Sequence, residues 1–123
     1  MDKLVIEGGK KLKGDIKVSG SKNSTLPILA ATLLTDDKCV IRNVPKLRDT
    51  LTMIKLLRSL GKTVDYNNNV AVISGTANSS TAEYKLVSTM RCSFCVMGPL
   101  LSIFRSAKVS LPCGCVIGFR PVD

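Results

Sequence analysis

Cys39-Val-Ile-Arg-Asn-Val44, then Asp49-Thr-Leu-Thr-Met-Ile-Lys-Leu-Leu-Arg-Ser-Leu-Gly61, then Thr63-Val-Asp-Tyr66 and Val70-Ala-Val-Ile-Ser74 set the fold of this chain. The first run is rich in β-branched residues and is ended by Pro45, as a strand would be. In the second, Leu51, Ile54, Leu57 and Leu60 recur at helical spacing, a helix begins at Asp49 or Thr50, and Gly61 stops it. The last two runs alternate at a period of two and pair as a hairpin across Asn67-Asn-Asn69. Strand, helix and hairpin in succession predict an α/β class.

Working outward, Ser21 to Asn23 offer caps for a helix running through Leu34, with Leu26, Leu29, Ala30, Leu33 and Leu34 as its apolar stripe. Pro27 is expected in or near its first turn, where a missing N–H costs little. Upstream, Leu4-Val-Ile6 and Asp15-Ile-Lys-Val-Ser19 read as two short strands separated by Gly8-Gly9. Downstream, one long helix is expected from about Lys85 to Phe104 with a kink at Gly98-Pro99, followed by a strand at Lys108-Val-Ser-Leu111.

That last strand feeds Pro112-Cys-Gly-Cys-Val-Ile-Gly-Phe-Arg-Pro-Val-Asp123, a loop that sets a thiol among glycines and near a cation. Gly114 and Gly118 widen the backbone options, Pro112 and Pro121 fix the edges, and Arg120 supplies a permanent charge. Cys115 reads either as a reactive thiol, its pKa drawn below the ordinary value of about 8.5 by the cation, or as a surface cysteine. Lys22 and Asn23 stand at a helix start, where free N–H groups and the helix dipole favour an anion. Arg91 lies among apolar residues, so an acidic neighbour or an anionic ligand is expected beside it. Cys92-x-x-Cys95 with Cys113-x-Cys115 allows a four-thiolate zinc site, and with it a zinc-stabilised basic nucleic-acid-binding module. Cys92 and Cys95 sit in an apolar helical run without a glycine-rich knuckle, and core packing is the expectation for both, as it is for Cys39.

Eighteen Lys and Arg against nine Asp and Glu give a net charge of +9 and an anionic partner. Two Tyr, three Phe and no Trp leave few stacking platforms for single-stranded nucleic acid, and the cations are scattered apart from Lys10, Lys11 and Lys13. Phosphorylated small molecules fit best, without nucleic acid or membrane as partners. No apolar run reaches the roughly 18 residues of a membrane span, and Met1-Asp-Lys-Leu-Val-Ile6 is no signal peptide, so a cytoplasmic location with reduced thiols is expected for the five cysteines.

Four blocks in collinear order carry a resemblance: Gly20-Ser-Lys-Asn-Ser-Thr-Leu-Pro-Ile28, Asn43-Val-Pro-Lys-Leu-Arg-Asp49, Thr89-Met-Arg-Cys-Ser93 and the loop Pro112–Asp123. Together they resemble the UDP-N-acetylglucosamine enolpyruvyl transferases across essentially the whole chain. Cys113 stands where that family usually has glycine, and Phe119 where a small residue is common. The sister transferases that make enolpyruvylshikimate phosphate share the fold but lack the cysteine loop.

The resemblance implies an inside-out α/β barrel built from βαβαββ units, two domains closing over a cleft, and about three times this chain's length. Residues 1–20 would be strands of the other domain and 21–123 an incomplete N-terminal domain, inactive without the remainder of the enzyme. The implied reaction moves the enolpyruvyl group of phosphoenolpyruvate to the 3-hydroxyl of UDP-N-acetylglucosamine and releases phosphate, the first committed step of peptidoglycan synthesis, with no cofactor. Cys115 would be the general acid, and Lys22 and Arg120 would hold phosphoenolpyruvate. Asn23 would orient the sugar, and Arg91 with Arg120, Pro121, Val122 and Asp123 would contact the UDP-sugar.

Overall fold

The computed structural model describes residues 3–88 and 90–110, with the backbone alone at 91 and 93. Helix α1 spans Lys22–Ala31 and tightens into a 3-10 turn at Thr32–Leu34. Strand β1 (Cys39–Ile41) leads to helix α2 (Arg48–Ser59), and β2 (Thr63–Asn67) and β3 (Val70–Ser74) form the hairpin. A short α3 (Tyr84–Val87), a 3-10 helix at Arg91–Val96 and α4 (Met97–Phe104) follow.

The strands form one antiparallel sheet in the order β1-β3-β2. Val64 pairs with Ile73 and Tyr66 with Ala71, while Cys39 and Ile41 meet Ile73 and Ala71 from the other side, so one pleat face collects these side chains. Helices cover that face. The hairpin closes in two residues: Asn68 and Asn69 both have positive φ (45° and 60°), the backbone that a tight hairpin requires and Asn tolerates. Asn67 therefore belongs to the strand rather than the turn.

Gly61 ends α2 as expected, at φ +103°. Its N–H donates to Arg58 O and that of Lys62 to Leu57 O, the paired bonds of a glycine-terminated helix. A Cβ on Gly61 would lie 2.5 Å from the Asn78 side chain and 2.9 Å from its backbone nitrogen, so both conformation and space call for glycine. Arg58 reaches from the last turn of α2 to Val64 O and ties helix to hairpin.

Leu26, Leu29 and Leu33 pack with Met53, Ile54, Leu56, Leu57 and Leu60 against Val64, Ala71 and Ile73, and Val96 and Leu100 extend this core. Two expected stripe residues fall outside it. Leu34 is 57 % exposed because the chain tightens to 3-10 geometry at Thr32, which rotates its side chain off the buried face. Leu51 is at the rim of α2, and Met53 and Leu56 take the interior instead.

Four further expectations are corrected. Pro27 lies inside α1 rather than in its first turn, so it brings no N–H to the carbonyl of Asn23 four residues earlier. The single helix from Lys85 to Phe104 is three pieces, α3, the 3-10 helix and α4, with an extended Met90 ahead of the second and the change of helix type marking the third. Pro99 explains the second break: in a continuous helix it would face the Cys95 carbonyl without a donor, whereas with α4 beginning at Met97 it occupies the first turn, and no kink is needed. The strands at Leu4–Ile6 and Asp15–Ser19 are not formed; residues 3–19 are exposed, Leu12 at 92 %. A two-stranded ribbon without a sheet or helix to bury its apolar face is marginal in water. The last expected strand is reduced to one parallel bridge, Thr81 to Lys108, among the described residues.

Candidate functional site

The site begins at the start of α1. Ser21 is extended (φ −74°, ψ 127°) and its hydroxyl accepts from the Ser24 N–H at 3.4 Å, while its carbonyl accepts from Thr25 N and Thr25 Oγ1 at 3.0 and 2.7 Å. This N-cap follows from a Ser placed before Lys-Asn-Ser-Thr, and it leaves Lys22 as the first helical residue with Asn23 beside it. Gly20 allows the approach: a Cβ there would sit 1.8 Å from Asn43 O.

Asp49 completes the corner. It occupies the first turn of α2, where a carboxylate complements the helix dipole, and its Oδ2 lies 2.9 Å from Lys22 Nζ. Both side chains are partly exposed, so the pair orients the ammonium more than it stabilises the fold. An acid at a helix start was visible in the sequence, but its partnership with a lysine 27 positions away was not.

The third element is the 3-10 helix that opens at Arg91 and packs against α1. Its first half brings Cys92 near the same corner, half-buried. Burial pushes the Cys92 thiol from 9.0 up to about 12, aided by the hydrogen bond with Cys95, the charge of Cys95 and that of Asp49, and opposed by Lys22. Cys95 is exposed, which corrects the expectation that both thiols are core residues. A 3-10 turn stacks residue i over i+3, so Cys95 lies over the half-buried Cys92 at the rim of the core and is the outer of the two. Cys39 is half-buried against the core.

Lys22, Asn23 and the backbone of Arg91 thus stand on elements in mutual contact. Cys115, Arg120, Pro121, Val122 and Asp123 lie outside the described residues, as does Cys113. Among the described residues no three His, Cys, Asp or Glu gather as a metal site, and no helix is long and apolar enough to cross a membrane. Beside the start of α2, Lys46, Arg48 and Lys55 surround an open hollow of about 560 Å³ floored by Leu47, Leu51 and Leu86. Lys62 is a cation that sequence reasoning missed. It is 3 % exposed and donates from Nζ to Thr35 O and Gly75 O, each at 2.5 Å, so its charge serves the fold.

Comparison with known proteins gives a consistent picture. A UDP-N-acetylglucosamine 1-carboxyvinyltransferase of Elusimicrobium minutum is 54% identical over all of this chain, and one of Trichlorobacter lovleyi is 53% identical. The chain spans 29% and 30% of the length of these two relatives. In structure it is similar to the enolpyruvyl transferase NikO from Streptomyces tendae, with a TM-score of 0.68 at 23% identity over 77% of this chain and 22% of that one, a likeness of fold. The mixed helix and sheet described above is therefore an α/β unit of the enolpyruvyl transferase type. The family model for EPSP synthase (3-phosphoshikimate 1-carboxyvinyltransferase) matches residues 6–123, and the chain belongs to that family.

Proposed function

We propose that this chain is part of an enzyme that transfers the enolpyruvyl group of phosphoenolpyruvate to the 3-hydroxyl of UDP-N-acetylglucosamine, with release of phosphate. The observation that carries the reading is identity above 50% along the whole chain to relatives named for carboxyvinyl transfer to that sugar nucleotide. The corner at α1 supports it: a cation oriented by Asp49 at a capped helix start suits a phosphorylated substrate. In cells the product would feed peptidoglycan synthesis, and through it wall growth, cell shape and division, from the cytoplasm.

The residue roles follow the resemblance. The sugar hydroxyl adds to the enol carbon as a proton reaches the methylene carbon, and loss of a proton with phosphate then restores the double bond. Cys115 delivers the first proton. Lys22 and Arg120 hold the phosphate and carboxylate of phosphoenolpyruvate, Asn23 orients the sugar, and Arg91 with Arg120, Pro121, Val122 and Asp123 holds the UDP-sugar. Residues 1–20 serve the partner domain, and 21–123 form one side of the cleft, which the remainder of the enzyme completes.

A chimera tests this: the Elusimicrobium minutum enzyme with its matching N-terminal segment replaced by residues 1–123 of this chain. Phosphate release that depends on both substrates is expected. A folded chimera that binds neither substrate would reject the reading.

A further inference from the structure

Two thiols are left over by the proposed chemistry, and their geometry is specific. Cys92 Sγ and Cys95 Sγ lie 3.5 Å apart and share a hydrogen bond. They stand three residues apart on the six-residue 3-10 helix Arg91–Val96. At three residues per turn and about 2.0 Å rise, such residues are eclipsed with Cα atoms about 6 Å apart. A disulfide spans roughly 4.4–6.8 Å between Cα atoms, so little backbone movement is needed to join them. In an α-helix the same spacing would leave them about 60° out of line. The 3-10 geometry that stands in place of the expected long helix thus aligns the sulfurs.

We propose that Cys92 and Cys95 are an oxidisable dithiol, a modification site that closes to a reversible disulfide when a peroxide reaches the exposed Cys95. The Cys95 thiolate attacks the peroxide O–O bond and becomes a sulfenic acid, and the hydroxide released takes up the proton the thiol had lost and leaves as water. Cys92 sulfur then attacks the sulfenic sulfur, and its proton leaves with the hydroxyl as a second water. Two thiols are oxidised by two electrons, and one hydrogen peroxide is reduced to two waters. Burial keeps Cys92 protonated until that step, which spares it from direct oxidation. Closure would stiffen the backbone directly after Arg91 and beside α1, which links the bond to substrate binding; that consequence, unlike the bond, rests on the function proposed above.

Trypsin isolates the pair: cleavage after Arg91 and Arg105 releases Cys92–Arg105, which contains these two cysteines and no other. The full chain is treated with a few equivalents of hydrogen peroxide, alkylated, digested and weighed. The expected peptide has lost two hydrogens, carries no alkyl group, and takes up two alkyl groups after reduction with dithiothreitol. In denaturing urea closure should be slower. A doubly alkylated peptide, a sulfinic acid at Cys95 beside an alkylated Cys92, a mixed disulfide to Cys113 or Cys115, or equal rates in urea would overturn the proposal. The readout contains no substrate, so its failure leaves the chimera experiment unaffected, and failure of the chimera leaves the dithiol standing.

Discussion

Lys22 Nζ is held 2.9 Å from Asp49 Oδ2, so the first residue of one helix is tethered to the first turn of the next. The tether is half in water, where such a pair contributes about 0.2–1 kcal/mol. Asp49→Asn should therefore lower the urea midpoint of the chain only slightly, by an amount that shrinks as salt is added. A loss of several kcal/mol would mean that the pair is structural rather than a means of aiming the ammonium.

Lys62 gives the opposite expectation. Its ammonium joins the end of the Thr32–Leu34 turn to the end of β3 through Thr35 O and Gly75 O, away from water. Lys62→Met keeps the stem and removes both donors, and should destabilise by about 2–3 kcal/mol, read as a shift in urea midpoint at unchanged slope. An unchanged midpoint would show that these carbonyls find other donors.

Thr50 is fully buried and its Oγ1 has no hydrogen-bond partner among the described residues. Thr50→Val keeps the branched shape and removes an unpaired polar atom, so stability should rise by about 1 kcal/mol. Thr32→Val is the control. It discards a 2.7 Å bond to Leu29 O and should destabilise.

Cys92 ties stability to pH. Its folded pKa of about 12 lies above the ordinary 9.0, so between those values the folded chain keeps a proton that the unfolded chain has lost. The stabilisation is complete below about pH 9 and is lost as pH rises toward 12. The stability difference between the native chain and Cys92→Ser, measured by denaturation across that range, should therefore shrink with pH. A difference that grows instead would contradict the burial of this thiol.

Much of the framework was legible because single residues dictate it. Gly61 ends α2 through its positive φ, Asn68 and Asn69 set the hairpin turn, and Ser21 caps α1. What escaped depended on contacts between distant positions. Lys62 reads as a solvated lysine until Thr35 and Gly75 enclose it, and the exposure of Cys95 depends on a change of helix type that an apolar run does not announce. The strands expected before residue 20 show the same limit from the other side: alternation marks a face suited to a sheet without supplying the sheet. For the candidate site, the position of Lys22 and Asn23 at a helix start was readable from the cap, while the ion pair of Lys22 with Asp49 was not.

Lys22 is the cation at the capped start of α1, and the most direct measurement of its role is kcat/KM for phosphoenolpyruvate in the Elusimicrobium minutum chimera with and without Lys22→Ala. A charge-assisted bond to the substrate is worth about 1.5–3 kcal/mol, so kcat/KM should fall by about 10- to 100-fold while the melting temperature barely moves. Equal kcat/KM values in two folded chimeras that both release phosphate would contradict the anion site at the start of α1.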